Sequence, residues 1–159
     1  MRTMSLLLAA AMALALHLPA AATPIADAGI TRGEVATYLK SKGYPVNAKK
    51  DANGLSILRA TTPAGVPFDI YFFDCNDDGR CPAIQFAAGW SMATAVPLDR
   101  LNAWNRDQTY IRAYTQQNGS LFGELDMILA PGGTAEQLDP YCTLWNTALA
   151  RFKTHFQIQ

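Results

Sequence analysis

The sequence predicts an α+β domain, an antiparallel β-sheet with helices packed on one face, in the order α-β-β-β-β-α-β-β-α. Three observations carry that expectation. The strand-like segments fall in two runs, separated by a single helical stretch, instead of alternating one by one with helices. A helix-capping signature at Thr31 precedes the first run. Asn118-Gly119 lies between the last two strand-like segments, the strongest short hairpin signal.

Each element has its own reason. Thr31 and Glu34 have capping-box spacing and Ile30 and Val35 that of a hydrophobic staple, so a helix starts here, runs through Leu39 and stops at Gly43-Tyr44-Pro45. Strands follow at Val46 to Lys50 and Leu55 to Thr61, joined by the turn Asp51-Ala52-Asn53-Gly54. After Pro63-Ala64-Gly65, Phe68 to Phe73 is aromatic on both faces, which places it centrally in the sheet. Ala83 to Trp90 alternates so that Ile84, Phe86 and Ala88 share a face. A second helix begins near Pro97 and carries Leu98, Leu101 and Trp104 at helical spacing to about Asp107. Tyr110 to Thr115 and Ser120 to Leu129 then pair; a two-residue loop sets Tyr114 opposite Gly123 and Arg112 opposite Leu125, whereas a one-residue slip carries Arg112 towards Glu124 or Asp126. Beyond Pro131-Gly132-Gly133, Thr134 and Gln137 read as a second capping box. Pro140 is expected to break or kink the final helix before its stripe of Leu144, Trp145, Leu149, Phe152 and Phe156.

Arg2, the apolar run Ser5 to Leu18, Pro19 and Ala20-Ala21-Ala22 form a signal-peptide pattern over residues 1–22. Cleavage is expected before Thr23, with Ala28 as the second choice. The run is shorter than the roughly 20 residues of a spanning helix, and no cysteine offers a lipid anchor. The expectation is a periplasmic or secreted protein with no stable membrane insertion. Its mature part holds one domain over residues 30–157. The formal net charge is zero, and loss of Arg2 takes it to −1. No basic excess exists to neutralise phosphates, so nucleic acid is not an expected partner.

Cys75 and Cys81 flank the turn-forming Asn76-Asp77-Asp78-Gly79-Arg80, a spacing that favours a disulfide in an oxidising compartment. Cys142, between Tyr141 and Leu144-Trp145, reads as a small core residue.

Three stretches then carry a family likeness: Phe68-Asp69-Ile70-Tyr71-Phe72-Phe73-Asp74-Cys75, the segment from Cys81 through Phe86-Ala87-Ala88-Gly89-Trp90, and Leu101-Asn102-Ala103-Trp104-Asn105-Arg106 with Tyr110-Ile111-Arg112-Ala113-Tyr114 and the acidic strand of Glu124 and Asp126. In these the sequence resembles the YbjN domain family, over about Ile30 to Phe156. The resemblance implies a fold like that of the type III secretion chaperones and a label as sensory-transduction regulators, with no established reaction. Those chaperones act in the cytoplasm. The export pattern here therefore argues against feeding a secretion apparatus, but not against gripping a protein segment.

The chemistry-bearing residues are few. His155 is the single histidine past the leader, at a helix end where a cation suits the dipole, and no motif surrounds it. Ser41, Ser56, Ser91 and Ser120 lie in no nucleophile elbow, and no ligand spacing suits zinc. Asp74 to Gly79 matches the opening of a calcium loop, but Gln85 stands where the bidentate glutamate belongs. Glu124 and Asp126 share a strand face, as a glycosidase pair could, and read more simply as solvated positions on an edge strand. Tyr110, Arg112 and Tyr114, if they share an exposed face, make a partner-contact patch. The leading expectation is a non-enzymatic, cofactor-free exported module that binds a protein, whether an unidentified partner or a second copy of itself. A carboxylate-pair hydrolase and a weak calcium-binding surface domain are the alternatives.

Overall fold

In the computed structural model, which describes residues 22–158, helix α1 (Arg32–Ser41) opens on the expected capping box. The Thr31 hydroxyl accepts from the Glu34 amide at 3.2 Å, and the Glu34 carboxylate accepts from the Thr31 amide at 2.8 Å. Ile30 and Val35 are both buried, as a staple requires. The expected leader lies outside the described residues except for Ala22.

The strands are β1 (Ile30–Thr31), β2 (Val46–Lys50), β3 (Ser56–Thr61), β4 (Pro67–Phe73), β5 (Arg80–Cys81), β6 (Ala83–Trp90), β7 (Arg112–Thr115) and β8 (Leu121–Ile128). Six of them form one antiparallel sheet in the order β2-β3-β4-β6-β8-β7, which seats β4 in its interior. Helices α1, α2 (Leu98–Asp107) and α3 (Leu138–Phe156) cover one face. Phe68, Ile70, Ile84, Phe86, Ala88, Leu125 and Met127 point into that covered core, and the alternate residues form the open face. The α+β expectation therefore holds, with one addition. β1 pairs with β5 and ties the start of the domain to the Cys75–Cys81 loop, whose disulfide is formed. Arg80 fastens that loop by donating to both Glu34 oxygens, at 3.2 and 3.1 Å, and to the Gly29 carbonyl at 3.1 Å. Burial pushes the Glu34 carboxyl up, but the Thr31 amide and the Arg80 guanidinium outweigh it and hold the group below its ordinary range.

Three sequence expectations need correction. The β7–β8 register is the slipped one, with Arg112 opposite Glu124, Ala113 opposite Gly123 and Tyr114 opposite Phe122. The loop has three residues, because Gln116 and Ser120 still pair and Gly119 takes φ 81°, the left-handed position of a bulged three-residue turn. Thr134 makes no side-chain capping bond; a 3-10 turn over Ala135–Gln137 leads directly into α3. Pro140 neither breaks nor kinks α3, because it occupies the first turn, where its missing N–H would have had no helical partner.

The Asn-x-Trp-Asn segment of α2 is a clip. Trp104 donates its indole N–H to the Ile111 carbonyl at 2.8 Å, and the Asn105 amide both donates to the Ala113 carbonyl and accepts from its N–H, at 3.0 and 2.9 Å. A side chain thus satisfies backbone groups of β7 as a neighbouring strand would. Trp104→Phe is expected to leave the buried Ile111 carbonyl without its partner and to lower stability by about 1–3 kcal/mol in urea titration. Replacing Cys75 and Cys81 together by serine should cost about 2 kcal/mol, from the entropy of the small ring they close. Thiol titration of the denatured wild-type protein should find one free cysteine, Cys142.

Candidate functional site

The open face of the sheet carries a row of charges that follows from strand register. Arg59, Asp69, Ala87, Glu124 and Arg112 stand side by side across β3, β4, β6, β8 and β7. Arg59 grips Asp69 through two bonds of 2.7 Å, and Lys49 approaches the same carboxylate at 3.4 Å. Ala87, being small, leaves room beside Glu124, which is only 8% exposed. Glu124 is surrounded by donors: the Arg112 guanidinium, the Tyr114 hydroxyl at 2.6 Å and, more distantly, the Gln85 amide at 3.4 Å. Gln85 turns its better bond, 2.7 Å, to Asp126. Burial and the adjoining Glu124 carboxylate push the Tyr114 phenol up to about 12.

This arrangement corrects the reading of Glu124 as a solvated residue, whereas the Asp126 side chain is 59% exposed, as expected. β8 lies between β6 and β7, β7 pairing with it over Leu121 to Glu124, and Glu124 is packed and ion-paired. A concavity of 480 Å³ does open on this face, but its lining includes Arg59, Asp69, Tyr71, Gly89 and Phe122 and neither Glu124 nor Asp126. The two carboxylates thus do not converge on this concavity, as a hydrolase pair acting there would have to.

The expected contact trio is divided. Arg112 and Tyr114 share the open face and are both engaged with Glu124. Tyr110 precedes the strand, has φ 77° and is 67% exposed. In the disulfide loop, the Asn76 side chain accepts from the Arg80 amide at 2.9 Å and closes the turn over residues 76–80. Gln85, at the twelfth position of the calcium pattern, is occupied in the sheet with Asp126. Among the described residues no three histidine, cysteine or carboxylate side chains gather to hold a metal ion. His155 places Nε2 3.1 Å from the Arg100 carbonyl and its ring edge-on to Trp104. Cys142 is buried, and burial pushes its thiol up to about 11, away from the thiolate needed for reactivity.

With this geometry in place, the comparisons assign a family. The family model YbjN, described as "putative bacterial sensory transduction regulator", matches residues 31–157. The chain belongs to the YbjN family. No curated protein matches it. In this YbjN chain the family-like Trp104 and Asn105 are structural, since both are spent on the β7 backbone.

The two borders of the YbjN sheet differ in a way that sequence reasoning missed. β7 is clipped by α2. β2 ends the sheet, and no strand among the described residues pairs with its outer side. Pro45 pairs by hydrogen bond with Thr61 and Asp51 with Leu55, so the alternation of an antiparallel ladder turns the backbone N–H and C=O of Val46, Ala48 and Lys50 outward. Beside this edge runs a groove of 530 Å³ between α1 and the sheet, floored by Gly33, Ala36, Val46 and Ala48. Its charged lining residues are Arg32, Lys40, Lys49 and Lys50, with no carboxylate. The signal was present as four cations around small residues, but only the strand order shows that they share a border.

The Tyr114 hydroxyl supplies a pH test. Its proton is held more tightly in the folded state, so the associated stability is complete below the unfolded pKa near 10 and is lost as pH rises through about 12. Burial pushes Tyr38, Tyr44 and Tyr71 up as well, so ultraviolet titration should show several tyrosines ionising late, and Tyr114→Phe should remove the component near 12.

Proposed function

We propose that this protein is an exported regulatory module that binds an extended, acidic protein segment along β2, without catalysing a reaction. The observation that supports it best is the unpaired β2 border beside an apolar groove rimmed by Arg32, Lys40, Lys49 and Lys50. An incoming strand would take up the outward backbone groups of Val46, Ala48 and Lys50, while its alternate side chains enter the groove or meet the cations. Lys40 and Lys50 make no ion pair among the described residues, so both are available to a carboxylate. The YbjN family description as a regulator is consistent with recognition as the activity. The leader pattern at residues 1–22 supports action outside the cytoplasm, and among the described residues no helix is long and apolar enough to cross a membrane.

The test is direct. A fluorescent ten-residue peptide of alternating valine and glutamate should bind, and binding should weaken with salt. Ala48→Pro removes an outward N–H while sparing the β2–β3 ladder, so it should weaken binding by roughly tenfold or more with little change in Tm. The double charge reversal Lys40→Glu with Lys50→Glu should act similarly, through a slower association rate. Peptide affinity indifferent to both variants would exclude this border.

A further inference from the structure

Thr23, the first residue after the expected cleavage point, has its backbone nitrogen 3.1 Å from both carboxylate oxygens of Glu136. The two residues are 113 positions apart in sequence, so the fold itself brings them together. Around this contact the chain is zipped to the start of the C-terminal region. Ala135 donates to the Thr23 carbonyl at 2.8 Å, Ile25 donates to the Gly133 carbonyl at 2.8 Å, and Pro24 bridges Thr134. Ile25 is 6% exposed and belongs to the core, whereas Ala22 is exposed.

We propose that Glu136 is a receptor for the α-ammonium group of a processed N-terminus beginning at Thr23. A peptidase outside this chain adds water across the Ala22–Thr23 peptide bond. The carboxylate leaves on Ala22, and the new amine on Thr23 takes up a proton at neutral pH. What had been a single amide donor becomes a cation with three N–H groups, held between the two Glu136 oxygens. This strengthens the contact from a singly to a doubly charged hydrogen bond. The inference rests on the export reading above and is independent of what β2 binds.

The same geometry discriminates between the two expected scissile bonds. Cutting after Ala28 would remove Ile25 from the core, along with both backbone bonds that zip residues 23–25 to residues 133–135. It would leave Glu136 without its Thr23 partner. Hydrogen bonds from the Thr134 hydroxyl, its own amide and the Thr23 amide hold the Glu136 carboxyl below its ordinary range, so it is ionised wherever the amine is protonated near neutrality.

Three measurements test this. Intact mass of the protein recovered from its producing cell should correspond to a chain starting at Thr23; a start at Gly29, or an uncut chain, overturns the proposal, and the uncut chain overturns the export reading with it. The amine of Thr23, followed by nitrogen NMR, should titrate above the ordinary α-amino value near ~7.7–8.0 and return to it in Glu136→Gln. Because the folded-state amine pKa is raised, the Tm advantage of wild type over Glu136→Gln, about 2 °C, should be present below pH 7 and vanish as pH passes the raised value. In a chain extended by Ala20-Ala21-Ala22 the advantage should shrink, since no charge lies at Thr23. An unshifted amine in a chain correctly cut at Thr23 would refute capture by Glu136 while leaving export intact.

Discussion

Helix α3 is held to the sheet by aromatic rings: Trp145 lies with its centroid 5.6 Å from Phe68 and 5.8 Å from Phe86, and Phe152 lies 5.0 Å from Trp104 and 5.3 Å from Trp90. Every other feature of the fold adjusts to this seam. Gly123 is one such adjustment, because a Cβ there would come within 3.1 Å of the Phe152 ring. The indole N–H of Trp145 is buried with no partner among the described residues. That omission costs about 1–3 kcal/mol, while burying a ring of roughly 200 Å² contributes about 5 kcal/mol, so the ring dominates. α2 joins the same seam through Trp104, which packs on Phe152 and Phe156 and also fixes the β7 backbone. Core packing and border protection are therefore a single device.

With the apolar faces of the strands committed to the helices, the open face has to satisfy its own charges. It does so by cross-strand complementarity. Arg59 sits opposite Asp69 and Arg112 opposite Glu124, with Ala87 between the two carboxylates. The partly exposed Arg59–Asp69 pair contributes on the order of 1 kcal/mol, because solvent screens it. Glu124 matters in a different way. Its carboxylate is largely withdrawn from water, so its donors prevent a penalty more than they add a gain.

Most of the fold was legible because its signals are local. β2 matches its expected span, β6 matches from Ala83 to Trp90, and the Thr31 capping box formed as read. What could not be read depends on distant partners. Asn118-Gly119 serves a two-residue and a three-residue loop equally well, and the choice between them moves Arg112 from Leu125 to Glu124. Pro140 reads as a breaker only if the helix is assumed to begin at Thr134, more than a turn earlier; the 3-10 turn shifts the start to Leu138 and puts the proline in the first turn, where it is harmless. The burial of Glu124 needs the small Ala87 opposite it, and no pattern within β8 announces that neighbour. Border status is a property of strand order, so neither the open β2 nor the clipped β7 was visible from its own sequence.

Lysines on a border strand ordinarily serve to discourage pairing, since an unprotected row of N–H and C=O groups invites any other strand. Lys49 and Lys50 do this for β2, but not indiscriminately. A second copy of this chain brought β2 to β2 would set like charges against one another and bury them, which is unfavourable on both counts. The acidic strand proposed above would meet the opposite condition, as its carboxylates would neutralise Lys40 and Lys50 and its backbone would complete the ladder. On the clipped β7, Asn105 occupies the outward N–H and C=O of Ala113 at the middle of the border. On the proposed function, the contrast between a border closed by a side-chain amide and one guarded by ammonium groups would turn protection against aggregation into selection of a partner by charge.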